Sequence, residues 1–110
     1  MTDTLVNFQG APASGALTTL YTAPVGQLGV IIDSISICNT SGQLQTCRLT
    51  LSSGGIQDVS SATMYNYLPI QSNDTFERTA AIALMPGDQI RAIVSASGAV
   101  SIQGYGVAFS

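Results

Sequence analysis

The stretch GVIIDSISICN, residues 29–39, is the most hydrophobic part of this chain. Ile35 and Ile37 alternate with Ser34 and Ser36, which is the period of a β-strand that buries one face. A strand with so apolar a face needs a second layer to cover it. We therefore take residues 29–39 as a central strand and predict the rest of the fold outward from it.

The stretch QTCRLTLS, residues 45–52, repeats this alternation and predicts a second strand, joined to the first by a hairpin turn at NTSGQL. If the apolar parities of both strands face the core, Cys38 points outward and Cys47 points inward. Cysteines on opposite faces of neighbouring strands cannot adopt disulfide geometry unless a bulge reverses one of them. We expect one buried and one surface thiol rather than a disulfide.

Further short apolar runs are separated by turn residues and predict strands at residues 16–24, 63–71, 74–85, 88–96 and 99–110. SND predicts a turn, and MPGDQI predicts a type II turn with Pro86 and Gly87 at its corners. SGA predicts the turn of a last hairpin. No segment has a useful helical period. The fold class is all-β, an antiparallel β-sandwich of seven to eight strands, with jelly-roll and immunoglobulin-like topologies both open.

The 110-residue length fits one domain. The opening MTDTLVNFQGAPASG has weak periodicity, so residues 1–15 are predicted to be an N-terminal arm and residues 16–110 a single β-sandwich domain. The arm is either an extension that reaches a neighbouring subunit through Leu5, Val6 and Phe8, or a frayed terminus.

Histidine and lysine are absent, and charged residues make up 8% of a chain that is 45% hydrophobic. Catalysis at neutral pH usually needs a His, or an activated Lys or Cys beside a base. The turn residues Asn73, Asp74, Glu77 and Asp88 do not have the spacing of a calcium loop. We expect no enzyme activity, no metal and no cofactor, but a surface largely covered by protein partners.

The net charge of −3 and the three scattered arginines disfavour nucleic acid and anionic membranes as partners. The N-terminal residues have neither the basic start nor the apolar run of a signal peptide, and no stretch has the length of a membrane span. These features predict synthesis in the cytoplasm.

Three segments together, LYTAPVGQLGVIIDSISICNTSG, YLPIQSNDTFE and MPGDQIRAIVSASGAVSIQGYG, make the chain resemble the small all-β virion proteins of tailed bacteriophages. The resemblance covers roughly residues 20–106. It implies a virion protein of the capsid decoration (cement) or tail-fibre-associated type. It also implies a homo-oligomer, with a trimer as the expected state, that contacts the major capsid protein or other virion subunits.

Several residues are candidates for such contacts. Asp33 could pair with an arginine of a neighbouring subunit, or a bulge could turn it outward. Tyr65 and Tyr67 have one parity and could form an interface anchor, a platform for sugar, or a core pair. Gly104 and Gly106 leave backbone open to another chain or a bulky side chain, or mark a bulge. The candidate interface residues are Leu5, Val6, Phe8, Asp33, Arg48, Tyr65, Tyr67, Arg78, Arg91 and Tyr105.

Two functions are compatible with these features. The first is a decoration protein that binds the assembled capsid surface as an oligomer and stabilises the shell, which would place the protein in the virion. The second is a tail or fibre module that connects tail components or contacts host-surface carbohydrate through Tyr65, Tyr67 and the loop SSGGIQDVSS.

Overall fold

The computed structural model describes residues 3–52, 63–79 and 81–109, with the backbone alone at residues 63, 64 and 66. Nine β-strands lie in this part of the chain. They are β1 (Thr4–Gly10), β2 (Thr18–Thr22), β3 (Gly29–Asn39), β4 (Gln45–Ser52), β5 (Thr63–Ile70), β6 (Thr75–Arg78), β7 (Ile82–Leu84), β8 (Gln89–Val94) and β9 (Val100–Phe109). Among the described residues, no helix is long and apolar enough to cross a membrane.

The strands form two antiparallel sheets that pack into a β-sandwich, which confirms the predicted fold class, although the described residues contain nine strands rather than seven to eight. The five-stranded sheet has the order β1-β9-β3-β6, and β7 also pairs with β3. The four-stranded sheet has the order β2-β8-β4-β5. Because β3 and β4 lie in different sheets, the predicted hairpin between them is wrong. The predicted last hairpin is wrong for the same reason, since β8 and β9 also lie in different sheets.

Asn39 secures the crossing from β3 to β4. Its side chain is fully buried at the end of β3. The amide nitrogen donates to the backbone oxygens of Gln43 and Ile70, at 2.7 and 2.9 Å. The amide oxygen accepts from the backbone N–H and the hydroxyl of Ser41, at 2.9 and 2.7 Å. All four hydrogen-bonding positions of the amide are therefore used, and they join the five-stranded sheet to the end of β5.

The core lies between the two sheets and is mostly aliphatic. Its fully buried large side chains come from strands of both sheets: Val30, Ile32, Ile35, Ile37, Leu49, Leu84, Ile90, Val100 and Ile102. Cys47 is also fully buried there, whereas Cys38 is half-buried on the outer side of β3, and both are free thiols. This confirms the expectation of one inner and one outer thiol.

A β-bulge at Asp33 resolves the apparent conflict in the parity of β3. Ile32 is paired with Gly106 of β9, but Ser34 is paired with Tyr105, so Asp33 is the extra residue. Before the bulge Val30 and Ile32 face the core, and after it Ile35 and Ile37 do. The bulge keeps the isoleucines buried and leaves Asp33 exposed.

The two glycines of β9 accommodate different neighbours. A Cβ atom on Gly106 would lie 2.0 Å from the backbone oxygen of Ile31 and 2.7 Å from the Cα of Ile32, next to the bulge. A Cβ atom on Gly104 would lie 2.3 Å from Cζ of Phe8. The backbone at the bulge therefore explains Gly106, and the bulky side chain of Phe8 explains Gly104. Both neighbours belong to this chain and not to a partner.

The N-terminal segment differs from the predicted arm. β1 pairs with β9 along its whole length, from Thr4–Ala108 to Gly10–Ile102. Phe8 is 8% exposed and stacks on Tyr21, with ring centroids 5.6 Å apart. Residues 4–10 are thus an integral edge strand of the sandwich. The weak sequence periodicity arises because an edge strand buries little of its length: Val6 and Phe8 face inward, and Leu5 is exposed.

Two of the predicted turns, at MPGDQI and at SND, are confirmed. Asp88 donates its backbone N–H to the oxygen of Met85 at 3.0 Å, and Gly87 between them has φ of +90°, as a type II turn requires. The turn at SND has the left-handed residue Asn73, with φ of +57°. The strand predicted over residues 74–85 is divided into β6 and β7, which pair with β3 on either side of the bulge at Asp33.

Candidate interaction surface

Four of the ten candidate interface residues face the interior of the sandwich and make contacts there: Val6, Phe8, Tyr65 and Arg78. Val6 and Tyr65 pack against the core, and Phe8 is part of it. Arg78 is half-buried, and its Nη1 donates to the hydroxyl of Tyr65 at 3.1 Å. Phe8 is therefore not an anchor for a neighbouring subunit, because its ring already fills the space above Gly104.

The two tyrosines of β5 do not form one platform. Cys47 of β4 is paired with Leu68, and Leu49 is paired with Tyr65, so β5 carries an extra residue between these pairs. Tyr67 lies in this bulge with φ of +55°. The bulge places Tyr65 against the core, where its ring meets that of Phe76 edge-on at 5.2 Å, and leaves Tyr67 exposed. The prediction that both tyrosines share a face is wrong for this reason.

The other six candidates lie on the outer faces of both sheets and do not form one patch. Leu5, Asp33 and Tyr105 belong to the five-stranded sheet. Arg48, Tyr67 and Arg91 belong to the four-stranded sheet, where the guanidinium carbon of Arg48 lies 6.0 Å from the centre of the Tyr67 ring. Their role at an interface stays a prediction. Of the loop SSGGIQDVSS, residues 52–61, all residues after Ser52 lie outside the described part of the chain.

A shallow depression of about 570 Å³ lies on the outer face of the five-stranded sheet. Strand register orders its polar side chains into two rows across β1, β9 and β3, where the first row is Asn7, Tyr105 and Ser34 and the second is Gln9, Gln103 and Ser36. We call these six residues the polar face. They are amides, hydroxyls and one phenol, and none carries a formal charge at neutral pH.

An apolar groove of about 290 Å³ lies toward one end of the same sheet. It is lined mainly by Leu28, Ile31, Ala83, Met85 and Phe109, and we call these five residues the apolar groove. Leu28 and Met85 are among the most exposed large hydrophobic side chains of the described residues. A row formed by Leu5, Val107 and Ile31 connects this groove to the polar face. One sheet face therefore has an apolar end beside a polar middle.

Charge is distributed unevenly between the two sheets. All three arginines lie away from the polar face, since Arg48 and Arg91 are on the four-stranded sheet and Arg78 faces the interior. Two carboxylates flank the polar face. Asp33 is in the bulge next to Ser34, and Glu77 on β6 is paired with Ser36. The electrostatic environment of this face is therefore weakly negative.

The buried thiol has no feature of a nucleophile. Burial raises the pKa of Cys47 to about 11, so the thiol is protonated at neutral pH. Among residues 3–52, 63–79 and 81–109, no three His, Cys, Asp or Glu side chains are close enough together to hold a metal ion.

Most residues of the two surface features were not among the sequence candidates. The alternation of Ser34 and Ser36 with isoleucines was a usable signal, because it marked an uncharged polar outer face on β3. In β9, the alternation of Gln103 and Tyr105 with Ile102 and the two glycines indicated a similar uncharged polar outer face. What was missing was the knowledge that β3, β9 and β1 are neighbours, because strand adjacency is not encoded locally.

No protein-family model matches this chain, and no curated protein is significantly similar to it. A search of solved structures found a similar chain in the acidic stable capsid of Helicobacter pylori bacteriophage KHP30. The two chains superpose with a TM-score of 0.57 and 11% sequence identity, over 100% of this chain and 89% of that one. The match shows a shared fold with a phage capsid chain.

Proposed function

We propose that this protein is a structural component of a bacteriophage virion that binds the outer surface of the assembled capsid and stabilises the shell. The observation that carries the proposal is the match to a chain of a phage capsid over the whole of this chain and 89% of the other. The match therefore extends over the whole β-sandwich and is not confined to one sheet or one pair of strands.

We further propose that the sandwich is a jelly roll. Successive strands change sheets at every connection except β4–β5 and β6–β7 among the described strands. In an immunoglobulin sandwich the first two strands lie in one sheet, whereas here β1 and β2 lie in different sheets. Jelly rolls recur in viral capsid domains, which supports the same function.

The apolar groove is the proposed attachment surface. Leu28 and Met85 are 64% and 66% exposed, although free proteins seldom leave large hydrophobic side chains grouped in this way. Burial of each side chain would contribute about 1.5–3 kcal/mol to binding. The low charge of the chain favours the same conclusion, because charged residues are depleted at the centres of interfaces.

We propose that the protein reaches the shell as a homo-oligomer, and that a trimer is the state to test first. Charged residues and prolines are the usual protections of an edge strand against pairing with another chain. β1 is an edge strand and has neither between Thr4 and Gly10. Sedimentation at micromolar concentration measures this directly, and a stable monomer would contradict it. The absence of His and Lys from the chain supports a role without catalysis.

The attachment proposal is tested by adding the purified protein to capsids stripped of accessory proteins. Bound copies are counted, and shell melting is followed by calorimetry. The double variant Leu28→Gln with Met85→Gln is expected to bind at least ~10-fold more weakly. Leu44→Gln is the matched control, because Leu44 is also exposed but lies in the β3–β4 connection.

Binding of the wild-type protein with unchanged binding of the double variant would remove the apolar groove from the proposal. Absence of wild-type binding to the shell, with binding to purified tails, would replace the capsid function by the tail or fibre alternative.

A further inference from the structure

The polar face has the dimensions of a small ligand site. Three neighbouring strands span about 10 Å, and side chains two residues apart along a strand are about 7 Å apart. The two rows therefore form a patch that covers one or two sugar rings. Tyr105 lies on the middle strand, β9, between Asn7 and Ser34 in its row.

The hydrogen-bonding groups of the polar face are not used by the fold. None of its six side chains makes a hydrogen bond with another residue in the part of the chain that the structure describes. Amides and hydroxyls supply both donors and acceptors, which is what a ligand with many hydroxyl groups needs. The depression of about 570 Å³ gives these groups a common ligand volume.

An exposed aromatic ring accompanies these polar groups. Tyr105 is 56% exposed, and its neighbours Gly104 and Gly106 are buried beneath the sheet surface. A tyrosine offers an apolar ring face together with a hydroxyl group. A pyranose has an apolar face formed by its C–H groups and a polar rim formed by its hydroxyls. The aromatic ring matches the apolar face, and the surrounding amides match the hydroxyl rim.

We propose that the polar face is a binding site for a neutral saccharide, with Tyr105 as the stacking platform and Gln9, Gln103 and Asn7 as hydrogen-bonding groups. The site is on the five-stranded sheet, whereas Tyr65 and Tyr67, which the sequence offered as one possible platform for sugar, are on the four-stranded sheet. The proposal does not depend on attachment to a capsid, because the apolar groove is a separate part of the sheet.

The charges around the site favour a neutral ligand over an acidic one. Asp33 and Glu77 flank the two rows, and no arginine lies on this sheet face. A sialylated or sulfated saccharide would therefore meet carboxylates without a compensating cation. A protein partner fits less well, because protein interfaces have an apolar centre, whereas the apolar side chains here lie at the end of the sheet.

The test uses the full-length protein on an array of oligosaccharides that end in glucose, galactose, mannose or N-acetylhexosamines, with sialylated and sulfated forms for comparison. Affinity for the best neutral oligosaccharide is then measured by NMR titration. Tyr105→Ala is expected to weaken binding ~10-fold or more, and Gln103→Ala several-fold. Tyr67→Ala is the matched control, since Tyr67 is 55% exposed on the four-stranded sheet. Thermal unfolding of each variant verifies that the fold is kept.

Binding of neutral saccharides that Tyr105→Ala abolishes and Tyr67→Ala preserves supports the proposal. Three results would overturn it: no neutral saccharide bound at millimolar concentration, a preference for acidic saccharides, or equal losses in the two tyrosine variants. A fourth is the conversion of an oligomer into monomers by Tyr105→Ala, which would identify the polar face as a protein interface. None of these outcomes depends on binding to shells.

Discussion

The two sheets enclose one core, and each contains a bulge that turns one side chain out to solvent. In the five-stranded sheet the bulge is at Asp33, and the backbone of β3 there approaches Gly106 so closely that no side chain fits between them. In the four-stranded sheet the bulge contains Tyr67, a residue in the left-handed region with no glycine to relieve it. The first bulge requires a glycine on the partner strand β9. The second requires Tyr67 itself to adopt a strained backbone conformation.

This difference indicates how tolerant each sheet is to change. A backbone contact on a central strand cannot be relaxed without separating β3 from β9, which would also disrupt the rows of the polar face. A strained backbone at the edge strand β5 costs only about 1–2 kcal/mol for one residue. The five-stranded sheet should therefore be the rigid support for ligands and partners, and the four-stranded sheet the more adaptable layer.

The largest effect is expected for Gly106→Ala. The added Cβ would lie within 3 Å of three backbone atoms of Ile31 and Ile32. A loss of at least about 4 kcal/mol in the free energy of unfolding is expected, or failure to fold, because none of these atoms can rotate away. Urea unfolding followed by circular dichroism measures this loss. A folded variant that lost less than about 1 kcal/mol would show that the bulge is adaptable after all.

Gly104→Ala should have a smaller effect, because its obstacle is the ring of Phe8 and not backbone. We expect a loss of about 1–3 kcal/mol, the usual cost of overpacking. The same substitution in a Phe8→Leu background should cost clearly less, since the shorter side chain vacates the space. Strict additivity of the two changes in a double-mutant cycle would contradict this explanation.

The buried thiol of Cys47 in the four-stranded sheet should make the free energy of unfolding decrease at alkaline pH. Because burial raises the pKa of Cys47 to about 11, the unfolded chain loses this proton at a lower pH than the folded one. The stabilisation is complete below the ordinary thiol pKa and is lost as the pH rises toward 11. Each unit of pKa difference corresponds to about 1.4 kcal/mol, so we expect a loss of about 1–2 kcal/mol between pH 8 and 10.5.

Urea unfolding under reducing conditions tests this expectation. Cys47→Ala should be less stable at pH 8 but should lose less stability on going to pH 10.5. Burial also raises the pKa of Tyr21, which acts in the same direction above pH 10 and is unaffected by the substitution. Identical pH dependence in wild type and variant would assign the whole effect to other groups.

The smallest effect is expected for Tyr67→Asn. Asparagine adopts the left-handed region more readily than tyrosine, which favours the variant by roughly 1 kcal/mol. Loss of the ring near Arg48 opposes this by about 0.5–1 kcal/mol. The free energy of unfolding should therefore change by less than about 1 kcal/mol, as measured in urea. A larger loss would mean that the ring contact, not the backbone, decides the conformation of this bulge.

Local features of the fold could be predicted because they depend on neighbouring residues alone. β3 and β4 have the bounds that alternation predicts, and the turn at Pro86 and Gly87 has the predicted geometry. Besides the two hairpins, two further features escaped such prediction. β1 was missed because an edge strand buries few side chains, and the face of Tyr67 was misassigned because one extra residue reverses the alternation.

The candidate site shows the same limit. Tyr105 was among the candidates because its position between Gly104 and Gly106 is visible in sequence, whereas its exposure is known only from the structure. Gln9 and Gln103 were not, because amides on isolated strands are ordinary solvent-facing residues. They form one face only where β1, β9 and β3 become neighbours, although they are far apart in the chain.

By itself the sequence determined the all-β class, the inward and outward thiols and the scarcity of charge, since composition and two-residue periodicity act over a few residues. Only the tertiary structure decided which strands share a sheet, where the bulges fall and which polar side chains stand together. These depend on pairing between distant segments, and a shift of one residue there moves every following side chain to the other face.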